Sequence, residues 1–314
     1  MPRGLLGIEE LERAEIEAIL ERAKAFQPGH NQPFAKLDTL RGRLIVNLFF
    51  EASTRTRTSF EIAAKRLGAD AVSITAAGSS LAKGESLVDT LNTLAAMRPD
   101  AIVIRHAASG APHFLARHLP IPIINAGDGT HEHPTQALLD ARTILDHRPT
   151  LEGLRVAIIG DIAHSRVARS NIFLLSKFQA DIVLCGPAPL APPELASIAP
   201  GVRITYDMRE AIREADVIMM LRVQLERQQE AAFPAGEYFQ FYGLRLEHLE
   251  LARPDAIVMH PGPINRGREI SSEVADSQRS VILNQVENGV AVRMAVLERI
   301  LGSSCRSSSS ATVA

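Results

Sequence analysis

The chain alternates continuous apolar runs of strand length with segments of helical periodicity, and this alternation restricts its fold more than any other feature. Continuous apolar strands are typical of parallel sheets that are covered on both faces. The alternation therefore predicts an α/β protein made of doubly wound parallel sheets. The predicted strands are 44–50, 71–75, 101–106, 122–126, 155–161, 181–186, 203–206, 217–222 and 256–260, and the predicted helices are 8–26, 53–67 (capped by Gly68), 85–97, 111–119, 134–147 and 286–301.

A length of 314 residues suits two domains of ordinary size. The turn Arg148-Pro149-Thr150 is the best candidate for the boundary between them. We predict a first domain at 1–148, a second at 149–285, and a C-terminal helix at 286–301 that packs back on the first domain. The serine-rich end, 303–314, has the composition of a disordered tail.

Charge and cysteine content exclude several classes of protein. The formal net charge is −2, which argues against nucleic-acid binding through bulk electrostatics but allows a local basic pocket. Cys185 and Cys305 are the only cysteines, too few for a disulfide framework or a cysteine zinc cluster, and we expect a buried thiol and a tail residue. The N-terminus lacks the layout of a signal peptide, and no apolar run approaches the ~20 residues that span a bilayer. These features predict a cytoplasmic protein with no membrane partner.

The strongest local signal follows the first predicted strand, where Ser53, Thr54, Arg55 and Thr56 open a helix. The first amides of a helix lack internal partners and its dipole favours negative charge, so hydroxyl and guanidinium groups added there suit a phosphate. The Gly-rich stretch of a Walker loop is missing. The alternative is a Ser-capped helix with solvated arginines. For Arg57, an ion pair with the residue four positions later is the better interpretation.

Ligands of open parallel sheets bind beyond the carboxyl ends of the strands, so further candidates are the polar residues that follow each strand. Arg105 ends a strand and can contact two oxygens at once, unless it is simply solvated. His133 and Gln136 are three residues apart at the start of a helix and share one face of it. A metal site at His131 and His133 would need a third ligand, and none is evident nearby in the sequence.

The second half of the chain offers two arginines after predicted strands, Arg166 and Arg222. Separate arginines suit a substrate with two carboxylates, the alternative being surface charge. Gln224 points to the same side of an extended chain as Arg222. The prolines of the run 260–263 withdraw backbone donors, which leaves the carbonyl oxygens of Gly262 and Pro263 to accept from a ligand, or else marks a plain rigid turn.

Taken in order, these motifs resemble the aspartate/ornithine carbamoyltransferase family, over about residues 5–301. The resemblance implies two domains with the active site in the cleft between them, no cofactor and no metal. It implies catalytic roles for Arg55, Thr56, Arg105 and His133. It assigns carbamoyl phosphate to Ser53, Thr54, Arg55, Thr56, Arg105, His133, Gln136, Gly262 and Pro263, and aspartate to Lys83, Arg166, Arg222 and Gln224.

The same resemblance implies an assembly. Ser80 and Lys83 match a family loop that reaches into the active site of a neighbouring subunit, and the family's arrangement is a homotrimer. The further partners that the resemblance suggests are regulatory chains or a dihydroorotase.

The implied reaction is transfer of a carbamoyl group from carbamoyl phosphate to L-aspartate, in pyrimidine synthesis. Ornithine is the alternative acceptor, but the ornithine-specific relatives carry a His-Cys-Leu-Pro run where this chain has His260-Pro261-Gly262-Pro263. A nicotinamide-dependent dehydrogenase is disfavoured because Gly160 opens a run that lacks the further glycines of Gly-x-Gly-x-x-Gly. A non-catalytic subunit on the same fold would not need this combination of side chains.

Overall fold

A computed structural model describes residues 4–29, 32–75, 87–223 and 235–302. Ser80, Lys83, Gln224 and the tail 303–314, all of which carry predictions, lie outside the described residues. The chain divides into two compact units, Met1–Thr135 with Asn288–Ala314, and Gln136–Glu287.

The first unit contains a five-stranded parallel sheet in the order β1-β5-β4-β2-β3. Its strands are β1 (Gly4–Leu5), β2 (Leu44–Phe49), β3 (Asp70–Thr75), β4 (Ala101–His106) and β5 (Ile123–Asp128). Four of them were predicted to within two residues. The sequence analysis missed β1, because two residues are too few to produce a periodic pattern.

The second unit contains another five-stranded parallel sheet, in the order β10-β9-β6-β7-β8. Its strands are β6 (Arg155–Ile159), β7 (Asp181–Cys185), β8 (Val202–Thr205), β9 (Val217–Met220) and β10 (Ile257–Met259). All five were predicted. The doubly wound α/β fold class is therefore confirmed, with two parallel sheets and helices in the connections between strands.

The helices of the first half of the chain are α1 (Arg13–Phe26), α2 (Thr54–Arg66), α3 (Leu87–Ala96), α4 (Ala111–His118) and α5 (Pro134–His147). Those of the second half are α6 (Arg166–Lys177), α7 (Met208–Ile212), α8 (Ala235–Tyr242), α9 (Leu246–Leu249), α10 (Ser272–Ala275) and α11 (Ile282–Leu301). None of the helices in the described part of the chain has both the length and the apolar character that crossing a membrane requires.

Helix α11 packs against α1 within the first unit. Gln27 donates to Asn288 at 2.6 Å, and Arg22 donates to Glu298 at 2.8 Å. Arg293 lies over the ring of Phe60, with 5.1 Å from its guanidinium carbon to the ring centroid. Helix α11 thereby contacts both α1 and α2.

Helix α2 ends just before Gly68, the residue that the sequence predicts as its cap. This residue has φ +81°, a left-handed conformation that glycine adopts at little cost. A Cβ placed there would also come within 2.9 Å of the Leu37 carbonyl oxygen. Glycine is therefore required twice at this position, by its backbone angle and by the close approach of the preceding loop.

The strand order places a switch point in each sheet, where the chain leaves two neighbouring strands in opposite directions. In the first sheet β2 and β4 are neighbours, and the chain runs from β2 to β3 on one side and from β4 to β5 on the other. In the second sheet β6 and β9 are the corresponding pair. Crevices at the carboxyl ends of such strand pairs are the usual ligand sites of open α/β sheets.

Candidate active site

The start of α2 follows β2 at the switch point of the first sheet. Ser53 is the residue before the helix and has extended backbone angles, φ −159° and ψ 95°. Within the described residues its side chain makes no capping hydrogen bond, so the structure does not show the side-chain cap of the alternative interpretation. Thr54 and Arg55 are exposed. The first turn thus presents backbone N–H groups, hydroxyls and a guanidinium at one place, which is a suitable site for an anion.

Two predicted catalytic residues are brought together across 77 positions of sequence. The Oγ1 atom of Thr56 lies 3.5 Å from Nε2 of His133. Both side chains are buried, with 7% and 4% of their surface exposed. A hydroxyl and an imidazole in contact can both direct a hydrogen toward one ligand oxygen.

Arg105 lies at the end of β4, in register with Phe49 of β2. Its guanidinium donates to Oε1 of Glu51 at 2.7 Å and to the Ala126 carbonyl oxygen at 3.3 Å. The carboxylate fixes the direction of the guanidinium at the same strand ends from which α2 begins. Glu51 was not among the predicted site residues, although it lies two residues before Ser53 in the sequence.

The loop that carries His133 is organised by Asp128, which is fully buried. This carboxylate accepts hydrogen bonds from the backbone N–H of Gly110 at 2.6 Å and of Glu132 at 3.1 Å, and from the Asn125 amide at 2.8 Å. Nδ1 of His131 lies 3.0 Å from it. Burial opposes ionisation, but the hydrogen bonds from His131, Asn125 and Gly110 together hold the pKa of Asp128 below its usual value.

Glu132 ties the same loop to the start of the chain. Its buried carboxylate accepts from the backbone N–H of Ile8 at 2.8 Å and of Glu9 at 3.2 Å. A Cβ on Gly7 would lie 2.3 Å from Oε1 of Glu132, so this approach requires a glycine. Two carboxylates therefore fix the loop immediately before His133.

The fold supplies the ligands that the sequence analysis did not find near His131. His113, Asp128 and His131 can each offer one atom to a metal ion, the three atoms lying within 4.8 Å of one another. The oxygens of Asp128 are nevertheless occupied by N–H donors, and Nε2 of His113 contacts Glu10 at 2.9 Å. We assign the cluster to loop structure, because a metal ion would have to displace these donors.

Replacing Asp128 by asparagine is expected to lower the free energy of unfolding by about 2–3 kcal/mol at neutral pH, since an amide cannot accept at both of its ends. A carboxyl with a lowered folded-state pKa stabilises the fold above its unfolded pKa, and the contribution is lost as the pH falls through the folded value. The difference in the free energy of unfolding between wild type and Asp128→Asn should therefore become smaller in acid. Urea unfolding at several pH values and one protein concentration measures it.

The matched control is Asp276→Asn, which neutralises an exposed carboxylate paired with Arg266. Exposed pairs contribute little, so this variant should stay within about 0.5 kcal/mol of wild type. A difference between wild type and Asp128→Asn that grows in acid would contradict the expected sign.

The two arginines of the second unit lie at its switch point. Arg166 is the first residue of α6, after β6, and is buried; Arg222 follows β9 and is half-buried. The strands run side by side to their ends, since Ile159 pairs with Met220. Ser165 caps α6 by accepting from the Ala168 N–H at 3.1 Å. The loop that leads to Arg166 and the segment that carries Arg222 thus leave from adjacent strand ends.

The turn that contains Gly262 and Pro263 is held by two residues that the sequence analysis did not single out. Nδ1 of His260 accepts from the Gly262 N–H at 2.8 Å, so the imidazole hydrogen is on Nε2 and points at Glu269, 3.2 Å away. Glu269 also accepts from the Asn265 N–H at 2.6 Å. His260 and Glu269, both almost fully buried, therefore hold the turn through its backbone N–H groups.

Arg57 and Cys185 have the structural roles that the sequence predicts, and His106 has a structural role as well. Arg57 lies 3.8 Å from Glu61 as an i,i+4 pair. Nδ1 of His106 accepts from the Ala108 N–H at 2.9 Å, and burial lowers the pKa of its imidazole. Cys185 is buried, and burial raises the pKa of its thiol to about 12, which excludes a reactive thiolate at neutral pH.

Comparison with known proteins adds to this geometry. Residues 3–146 match the family described as aspartate/ornithine carbamoyltransferase, carbamoyl-P binding domain, and residues 152–300 match its Asp/Orn binding domain. The aspartate carbamoyltransferase catalytic subunit of Solibacter usitatus is 81% identical over 302 residues, which are 96% of this chain and 100% of that protein. The subunit of the same name from Syntrophobacter fumaroxidans is 57% identical, over 94% and 96% of the two chains.

Solved structures of similar proteins share the fold. Aspartate transcarbamoylase from Trypanosoma cruzi, in complex with N-(phosphonacetyl)-L-aspartic acid, matches with a TM-score of 0.85 and 34% identity, over 96% of both chains. Ornithine carbamoyltransferase from Pyrococcus furiosus matches with a TM-score of 0.85 and 30% identity, over 96% of this chain and 97% of that one. The chain therefore belongs to the aspartate/ornithine carbamoyltransferase family.

Proposed function

We propose that this chain transfers the carbamoyl group of carbamoyl phosphate to the amine of L-aspartate, giving N-carbamoyl-L-aspartate and phosphate in pyrimidine synthesis. The observation that carries the proposal is the distribution of cationic groups over the two switch points. The first, with the start of α2 and Arg105, lies in the segment that matches a carbamoyl-phosphate-binding domain. The second, with Arg166 and Arg222, lies in the segment that matches an aspartate- or ornithine-binding domain.

The phosphate end of the donor is assigned to the start of α2. Ser53 and Thr54 supply hydroxyls, Arg55 supplies a guanidinium, and the first backbone N–H groups of the helix complete the site. These donors hold the phosphate while it is part of the substrate and stabilise its charge as it leaves. The charge that the leaving group acquires lies where the helix dipole favours it.

The carbonyl oxygen of the carbamoyl group is assigned to Thr56, Arg105 and His133. The aspartate amine forms a C–N bond to the carbamoyl carbon, the carbonyl oxygen becomes an oxyanion, and its collapse breaks the C–O bond to phosphate. Three fixed donors around that oxygen stabilise the oxyanion, and such stabilisation usually contributes more than any other effect to the rate of acyl transfer. The amine proton leaves with the departing phosphate, which is the nearest base that the reaction itself provides.

The remaining substrate groups are assigned to residues of the second unit and of the undescribed segments. Gln136 and the carbonyl oxygens of Gly262 and Pro263 accept from the carbamoyl NH₂ group. Arg166 and Arg222 bind the two carboxylates of aspartate. Lys83 and Gln224 are proposed for the same substrate. Because the donor is activated and the acceptor is a free amine, positioning and preorganised charge account for the reaction without a covalent nucleophile.

We further propose a homotrimer in which the loop with Ser80 and Lys83 completes the site of a neighbouring subunit, the arrangement that the family resemblance implies. Association of the trimer with regulatory chains or a dihydroorotase is part of the same proposal. A cytoplasmic location stays a prediction from the sequence.

The test is phosphate release from carbamoyl phosphate in the presence of aspartate or ornithine. We expect turnover with aspartate and strong inhibition by N-(phosphonacetyl)-L-aspartic acid, which joins a phosphonate to an aspartate. Faster phosphate release with ornithine would move the chain to the other branch of the family. No release with either amine would refute the proposal.

A further inference from the structure

A buried carboxylate outside the assigned contacts joins the two groups that are proposed to bind the carbamoyl NH₂. Asp140 lies in α5 and is fully buried. Its Oδ1 accepts from Nε2 of Gln136 at 2.9 Å and from Nε2 of Gln285 at 2.7 Å, and its Oδ2 accepts from Nδ2 of Asn171 at 2.8 Å. Three side-chain amides therefore meet on one carboxylate.

The orientation of two of these amides is fixed by backbone groups, whose polarity is unambiguous. The Asn171 nitrogen also donates to the Val167 carbonyl oxygen at 3.0 Å. Oε1 of Gln285 accepts from the His260 N–H at 2.9 Å. Both amides must therefore turn their NH₂ groups toward Asp140, whose two oxygens accept as those of an ionised carboxylate do.

The third amide is oriented in the same way. Nε2 of Gln136 is the atom that lies against Oδ1 of Asp140, so Gln136 also turns its NH₂ group toward this carboxylate, and its Oε1 is left on the far side as an acceptor. A substrate NH₂ group is a pure donor and requires such an acceptor. Asp140, one helical turn after Gln136, thus fixes which end of the Gln136 amide faces the substrate.

The same carboxylate acts on the turn with Gly262. Through Gln285 it reaches the backbone N–H of His260, and the ring of His260 accepts from the Gly262 N–H. The hydrogen-bonded chain from Asp140 to Gly262 lies in the second unit and is almost entirely buried. Every donor in it points toward the carboxylate: the Gly262 N–H to the His260 ring, the His260 N–H to Gln285, and the Gln285 NH₂ group to Asp140.

We infer that Asp140 is a positioning residue that makes the enzyme specific for a carbamoyl over an acetyl group. It does so by presenting Oε1 of Gln136 and by fixing the turn with the carbonyls of Gly262 and Pro263, so that the two hydrogens of the NH₂ group face acceptors from the helix and from the turn. A methyl group cannot donate to them, and leaving buried acceptors unsatisfied penalises its binding. The inference rests on the proposed function, because it assumes that these acceptors contact the carbamoyl group.

The experiment compares Asp140→Ala with Asn171→Ala. Both substitutions remove a buried polar side chain of the same network, so they are matched in burial and in the loss of packing. Calorimetric titration gives dissociation constants for carbamoyl phosphate, for acetyl phosphate, which carries CH₃ in place of NH₂, and for inorganic phosphate. In Asp140→Ala the ratio of the acetyl phosphate to the carbamoyl phosphate constant should fall about 10-fold, while the phosphate constant changes less than about 3-fold.

Asn171→Ala keeps both contacts of Oδ1 and should retain the wild-type ratio. An unchanged ratio in Asp140→Ala, or an equal loss in Asn171→Ala, would overturn the inference, the second because it would show a merely structural role. If Asp140→Ala does not fold, Gln285→Met is the variant to measure. It removes the acceptor of the His260 N–H but keeps the hydrogen bond between Gln136 and Asp140. Its ratio of the acetyl phosphate to the carbamoyl phosphate constant should fall measurably below that of wild type, by less than about 10-fold. A wild-type protein that binds neither acyl phosphate would refute the proposed function itself.

Discussion

Replacing Arg105 by alanine is expected to lower kcat for phosphate release by about 10²–10³-fold, the usual cost of removing one donor from an oxyanion site. The guanidinium is held by Glu51 at 2.7 Å and by the Ala126 carbonyl oxygen at 3.3 Å, so its position is set before substrate arrives. An oxyanion loses this preorganised charge in the variant, and the donors that remain assigned to it, Thr56 and His133, are not planar cations. Steady-state rates at saturating aspartate and carbamoyl phosphate measure the effect.

The matched control is Arg13→Ala, which removes an exposed arginine paired with Glu17 on α1. It should keep wild-type kcat. Thermal unfolding of Arg105→Ala should show a folded protein that is less stable by about 1–3 kcal/mol, because the side chains of Arg105 and Glu51 are only 12% and 25% exposed and the variant leaves the carboxylate without this partner. Unchanged kcat in a folded Arg105→Ala variant would contradict the role assigned to this residue.

Local chemistry explains why so much of the fold could be predicted. Nine strands were located from short runs rich in apolar residues. Most of them are buried along their whole length, and a strand buried on both faces tolerates no regular polar position. The end of α2 followed from Gly68, whose left-handed backbone is a local requirement. Such signals lie within a few residues of the feature that they determine, so one sequence contains them in full.

Boundaries were less accurate where tertiary contacts replace local ones. The first helix was predicted from residue 8, but α1 begins at Arg13. The backbone N–H groups of Ile8 and Glu9 donate to the buried Glu132 carboxylate instead of entering a helix. That partner lies more than 120 residues away, and no local pattern could indicate it.

The same reason explains which site residues were found. Residues that follow strands could be selected by position, and this rule found Arg105, Arg166 and Arg222. This rule could not select the residues that orient site side chains, such as Glu51, which contacts Arg105, and Asp140, which contacts Gln136. Their roles depend on strand register and helix packing, which bring together groups such as Asp140 and Gln285 across 145 positions. A buried acidic residue inside an apolar helix face was the available signal for Asp140, and it was not used.

Replacing Arg222 by alanine is expected to raise KM for aspartate about 100-fold, equivalent to about 2.7 kcal/mol, the cost of leaving a carboxylate without its hydrogen-bonded cation. Binding of carbamoyl phosphate should change less than about 3-fold, since its phosphate is assigned to the first unit. The KM of Arg222→Lys for aspartate should lie between those of wild type and Arg222→Ala, because an ammonium keeps the charge but loses the planar two-pronged contact.

Arg253→Ala, which removes an exposed partner of Asp216 in the same unit, is the control and should leave the KM for aspartate unchanged. Initial rates over a range of aspartate concentrations separate these cases. If Arg222→Ala weakened carbamoyl phosphate and aspartate equally, the arginine would be acting on the fold of the unit, and the two-carboxylate site at this switch point would be wrong.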